Sequence, residues 1–308
     1  MLAEQQNISK MKKKNILWLI AFALLMPLFA LTACSDDDDD DNDSTGDKTE
    51  QTANDGTKVL SKKVTKIVET EDDGDEYTYN FDEDGKITSY KHKHIYDNDD
   101  ISIHTYTYSK DQIVENSSSK TTTYNLENGR VVHIEERNDG GHGKSKYITC
   151  SYSSDGYLAS LNSVKIDADY EKVEEAKYTV TDGNHTKYEE LEESEDYGVE
   201  KEEELTISYN SKLNNLNVDL AGVIIGIWPT EFFGKRSKNL PISINWKYKY
   251  RSYIDRDGNP QYRVNNETTI FTYTYDGDYP VKVLEEWTET SDGGSSDSGT
   301  RTYEIFYE

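Results

Sequence analysis

From about residue 60 to its end, the chain alternates apolar or aromatic residues with polar ones at a period of two. Leu205, Ile207 and Tyr209 show it, as do Ile242, Ile244, Trp246, Tyr248 and Tyr250, and finally Tyr303, Ile305 and Tyr307. A period of two gives a strand two unlike faces. The strands recur inside one phrase. Tyr77-Thr78-Tyr79-Asn80-Phe81 runs into Asp82-Glu83-Asp84-Gly85, Thr123-Tyr124-Asn125-Leu126 into Glu127-Asn128-Gly129, and Thr149-Cys150-Ser151-Tyr152 into Ser153-Ser154-Asp155-Gly156. Lys177-Tyr178-Thr179-Val180 leads to Asp182-Gly183, and Tyr273-Thr274-Tyr275 to Asp276-Gly277. Asn-Gly and Asp-Gly supply the positive φ of tight hairpin turns. Gly129, Gly156 and Gly183 stand 27 residues apart. The pattern predicts an all-β fold, an antiparallel meander of repeated hairpins forming a highly curved sheet or open barrel. In the acidic stretch Tyr170 to Glu204, Gly183 and Gly198 keep hairpin spacing, so strands are expected there too.

One segment breaks the alternation. Asn217 to Trp228, followed by Phe232-Phe233-Gly234, is the most apolar run of the chain after its leader. A short helical or loop insert near 214–240 is expected to plug the concave side of the sheet. Its other reading is a lip facing a ligand, with Trp228 and Phe232 as contacts.

The amino-terminal part reads differently. Lys12-Lys13-Lys14 precede an uncharged apolar run, Ile16 to Leu31, which Pro27 interrupts and Thr32-Ala33 closes. The run falls short of the roughly 20 residues of a comfortable bilayer span, and the three parts together have the layout of a secretory leader over 1–33. Leu31-Thr32-Ala33-Cys34 resembles the bacterial lipobox, which implies lipid on the Cys34 thiol and cleavage before it. The acids Asp36 to Asp41 cannot build a core, so 34–57 reads as an acidic disordered tether and 58–308 as a β-meander domain. Ser-Asp-rich sequence directly after such a cysteine resembles the export signal of Bacteroidota surface lipoproteins. The resemblance implies the outer face of the outer membrane, with a periplasm-facing position as the alternative.

Composition narrows the partners. With 34 Lys+Arg against 60 Asp+Glu, the formal net charge is −26, which disfavours nucleic acid and anionic membrane surfaces. Only 34% of residues are apolar, yet there are 24 tyrosines, mostly in strand-like context. Tyrosine buries a ring while its hydroxyl stays near water, which suits a sheet with one packed and one wet face. With Cys34 lipidated, Cys150 has no partner for an internal disulfide.

Two phrases, Tyr273-Thr274-Tyr275-Asp276-Gly277-Asp278-Tyr279-Pro280 and Ser237-Lys238-Asn239-Leu240-Pro241, resemble a Bacteroidales lipoprotein family with no assigned activity, described as having a porin-like, highly curved antiparallel sheet. The resemblance covers most of 60–308. It implies a fold and carries no chemistry.

Candidate chemistry is sparse. His92 and His94 share a strand face, and a return strand brings back His104; opposite His94 it completes a three-nitrogen zinc site, and opposite Lys93 it faces away. Gly143-Lys144-Ser145 lacks the earlier glycine and the helix of a phosphate loop. Asp255-Arg256-Asp257-Gly258-Asn259 and Asp82-Glu83-Asp84-Gly85 lack the distant glutamate of a calcium loop. There is no Gly-x-Ser-x-Gly or His-Glu-x-x-His, no cofactor motif, and too many carboxylates to single out a catalytic pair. Trp246 and Trp287 are core residues by default and sugar-stacking residues if exposed on one concavity. The expectation is a non-enzymatic, surface-tethered module, bound to the membrane by its lipid, that takes a glycan, peptide or envelope partner. The alternative is an envelope spacer or edge-associating scaffold. A transmembrane barrel fits poorly, because charges fall on both strand faces.

Overall fold

A computed structural model describes residues 62–94, 101–138, 145–166, 171–194, 198–214, 216, 220, 232–256 and 258–308. The leader, Cys34, the acidic tether, Gly143-Lys144 and Trp228 lie outside them, as does nearly all of 217–231.

The described residues form sixteen antiparallel strands in sequence order. The first eight are β1 Val64–Glu71, β2 Glu76–Phe81, β3 Ile87–Lys93, β4 Ile101–Tyr108, β5 Gln112–Asn116, β6 Lys120–Glu127, β7 Arg130–Asn138 and β8 Ser145–Tyr152. The rest are β9 Leu158–Ile166, β10 Glu171–Thr181, β11 Asn184–Ser194, β12 Gly198–Leu213, β13 Asn239–Ile254, β14 Pro260–Asp276, β15 Tyr279–Ser291 and β16 Ser296–Tyr307. Each pairs with its neighbours, and β1 pairs with β16, Ile67 opposite Ile305 and Glu69 opposite Tyr303. The expected antiparallel meander, a highly curved sheet or open barrel, is present and its curvature carries through to closure. Closure pairs β1 with β16, so among the described residues no strand runs unpaired along its whole length to serve as the edge of an associating scaffold. Among the described residues no helix stands beside the strands; the described part of the insert between β12 and β13, Phe232 to Lys238 above all, is a run of bends after a single 3-10 residue at Phe232.

The glycine phrases form the turns that their chemistry requires. Asn128 and Gly129 have φ of 51° and 75°, Asp182 and Gly183 52° and 81°, giving two-residue turns with both φ positive. Gly85 and Gly156 (φ 81° and 89°) close longer loops, in which their N–H groups donate to Asp82 and Ser153 carbonyls. A 27-residue repeat is thus two strands and two turns, so these glycine turns share one end of the barrel with the start of β1 and the end of β16, where Glu308 N–H donates to the Lys63 carbonyl.

That end is plugged. Phe233, Leu216 and Leu240 are fully buried in the apolar core that also holds Ile87, Ile113, Val131 and Leu158, each worth about 1.5–3 kcal/mol in apolar burial. The insert also docks on the turns, with Lys235 N–H on the Gly156 carbonyl and Lys238 N–H on the Gly183 carbonyl, both at 2.9 Å. At Gly234 (φ 86°) a Cβ would stand 2.5 Å from the Gly156 carbonyl oxygen, so glycine is required twice over, by backbone and by contact. Five tyrosines near the bottom of even-numbered strands clasp the start of the preceding strand. Tyr108 donates to Ile87, Tyr152 to Val131, Tyr209 to His185, Tyr273 to Pro241 and Tyr307 to Pro280, all to carbonyls at 2.6–2.7 Å.

The outer face is polar. Leu191 is flanked across the ladder by Glu175 and Glu202, and Phe306 by Lys66. Lys187 bridges Glu189 and Glu204, and Lys249 pairs with Glu202. No apolar belt runs around the described strands. β5 has five residues and β2 six, a rise of about 17–20 Å, short of the ~25 Å band of a membrane barrel. The packed inner face and wet outer face match the expectation drawn from the tyrosines.

Candidate functional site

Away from the plug, the same inward positions change from apolar to charged and aromatic. Up β13 the inward residues run Ile244, Trp246, Tyr248, Tyr250, and the last three form a ladder of rings, 4.8 Å and then 6.2 Å between centroids. Strand alternation alone places them, since residues i, i+2 and i+4 share a face. Opposite stand Leu205, Glu203 and Lys201 on β12, and Glu267, Asn265 and Arg263 on β14. Tyr248 O–H donates to Glu289 at 2.6 Å, and Asn265 Nδ2 donates to both Tyr248 Oη (2.8 Å) and Glu289 (2.6 Å). Trp287, half-buried, lies inward on β15 against Gly299, where a Cβ would come within 2.7 Å of its ring.

Around the rest of the mouth cations and carboxylates alternate. Lys146 pairs with Glu174 at 2.7 Å, and Lys172 bridges Glu192 (2.7 Å) and Glu200, which Arg251 also holds at 3.1 Å. Burial alone would raise Glu200, but Lys172, Ser194 and Arg251 outweigh it and bring the carboxyl down to about 2. Arg301 meets Glu69 (2.9 Å), Glu71 (2.7 Å) and Glu285 (3.5 Å). There burial dominates: Glu69 and Glu285 are both held above the ordinary carboxylate value despite the guanidinium. Burial, with Glu289 accepting from it, likewise pushes Tyr248 up to about 12, so Tyr248 remains a hydrogen-bond donor at neutral pH.

Elsewhere on the inner wall, Tyr79 stacks on Tyr90, Tyr90 on Tyr77 and Tyr77 on His92, the Tyr77–His92 rings being 4.1 Å apart and 8° from parallel. The histidine register is neither of the two expected. His92 faces Ser102 and His104 faces Tyr90, because the connection from β3 to β4 spans 94–100, longer than a tight turn. His104 therefore stays on the inner face but sits lower, with Nδ1 at 2.6 Å from Glu115 Oε1. The residue that joins His92 and His94 is Asp75, from the β1–β2 turn. His92 Nε2 and His94 Nδ1 lie 3.1 and 2.8 Å from its Oδ2. Strand alternation finds the histidine pair; nothing in the local pattern marks Asp75, which comes from another hairpin.

Phe232, expected as a ligand contact, packs on Tyr108 at 5.7 Å in the plug, far along the barrel from Tyr250. Trp246 and Trp287 share the lumen. Cys150 is buried in the apolar end, and burial pushes its thiol up to about 12, a packed side chain and no nucleophile.

No family model and no curated protein matches the sequence. Among solved structures, a crystal structure of a porin-like protein from Bacteroides uniformis superposes with a TM-score of 0.54 at 17% identity, covering 80% of this chain and 96% of that one. The likeness is one of fold, an antiparallel barrel.

Proposed function

We propose that this protein is a non-enzymatic binding module that takes a glycan in the mouth of its barrel, held at the outer face of the outer membrane by lipid on Cys34. One observation carries the reading: the ladder Trp246, Tyr248 and Tyr250, with Trp287 on the same inner wall, above a plugged floor. Flat rings at successive heights give sugar faces a surface to stack on. Glu289, Asn265 and Glu203 beside them offer acceptors and donors to hydroxyls. The polar outer wall supports a barrel that stands in water, so that membrane attachment falls to the lipid rather than to the strands. An extended peptide or an envelope protein is a weaker fit, since no described strand runs unpaired along its whole length to receive strand addition.

A glycan array probed with the purified protein tests the proposal. One glycan class should bind, and Trp246→Ala and Trp287→Ala should each weaken that binding roughly tenfold, the loss of one stacking contact. Absence of binding to any glycan, or undiminished binding by both variants, would overturn it.

A further inference from the structure

We infer that Asp75, His92 and His94 form a binding site for a divalent transition-metal ion of the zinc class at the rim of the barrel mouth. The donor set is two imidazoles and one carboxylate, which suits zinc and its borderline neighbours and leaves a coordination position open. His92 lies on the inner face of β3 and His94 follows two residues on, just past the end of that strand, and their rings approach to 3.9 Å between centroids at 59°. Both address the same oxygen, Asp75 Oδ2, with nitrogens at 3.1 and 2.8 Å, and all three ligand atoms fall within 4.8 Å of one another. Metal–ligand bonds of about 2.0–2.1 Å in a tetrahedron separate neighbouring ligand atoms by about 3.3 Å, so small adjustments admit an ion among them.

The ligands are held before any ion arrives. The β1–β2 turn fixes Asp75: its carbonyl accepts from Glu71 N–H at 3.0 Å, its own N–H donates to Asp73 Oδ1 at 3.0 Å, and its residue is 7% exposed. Tyr77 fixes the plane of His92 by stacking. His94, with 46% of its side chain exposed, leaves the site reachable from outside. A net charge of −26 favours the local concentration of cations. Without metal the same geometry needs each ring to donate one N–H to a single carboxylate oxygen, which is the competing account.

The experiment is a titration of chelator-treated, untagged protein with Zn2+ by calorimetry, repeated with Co2+ followed by visible absorption. One ion per chain should bind, with the intense visible bands of tetrahedral Co2+. Asp75→Asn and His94→Ala should each weaken binding about 10–100-fold or more, as loss of a ligand does at least what loss of a ligand's support does. His104→Ala, which removes a ring bound to Glu115 and outside the cluster, should bind as the parent does. The exposed end-of-strand position of His94 makes its variant the one to rely on if Asp75→Asn fails to fold. No stoichiometric uptake overturns the inference. So does undiminished binding by His94→Ala, or equal loss in His104→Ala.

Discussion

Glu200 shows how a single side chain at the mouth is set by its neighbours. Lys172 and Arg251 hold its carboxyl at about 2 against an ordinary 4.5. The folded protein therefore binds fewer protons there than the unfolded chain between those values. Its contribution to stability is complete above about pH 4.5 and disappears as pH falls toward 2. Glu200→Gln should be less stable than the parent at pH 7, and the gap should close across that window; thermal melts at pH 7, 4 and 3 measure it. A gap that stays constant would mean that Glu200 acts by packing and not by charge. Glu69 and Glu285, held above the ordinary value by burial, have the opposite sign: their share is lost as pH rises through their folded values. None of this was legible in the sequence, where these acids are three among sixty.

Hairpins were the legible element. Asn128-Gly129 and Asp182-Gly183 announce their own turns because positive φ is a local requirement. The tyrosine clasps were half legible: Tyr152 and Tyr273 stand in the repeated phrase, while Leu126 and Val180 occupy comparable places without a hydroxyl. Tyr152→Phe removes a 2.6 Å hydrogen bond to the Val131 carbonyl and keeps the ring. It should cost about 1 kcal/mol, a fall of about 2–4 °C in Tm for a body of this size. Tyr253→Phe, at a position 61% exposed, should leave Tm unchanged in the same melt. The histidine register was illegible for a related reason. It depends on the length of the 94–100 connection, which no turn motif encodes, and a shift of pairing changes which ring meets which.

At the scale of the molecule, closure was the least legible property, since no local signal in Val64–Glu71 names a partner 230 or more residues away. The consequence for membranes can be measured. With Glu175 and Glu202 flanking Leu191 on the outer wall, and a five-residue β5, the barrel should stay in the aqueous phase without detergent. It should give no conductance steps in planar bilayers. Steps of a defined size would reverse this view of the outer face.

The pairing of β1 with β16 also sets the order in which the fold can be finished. Ile67 and Glu69 wait for Ile305 and Tyr303, so the wall cannot close until β16, Ser296–Tyr307, is available. Until then the chain carries two open strand rows that invite pairing with other chains. Contacts of such high sequence separation fold slowly. The C-terminal strand is thus a latch: a chain that lost it would keep every glycine turn and every tyrosine clasp up to β14, and remain an unfinished sheet.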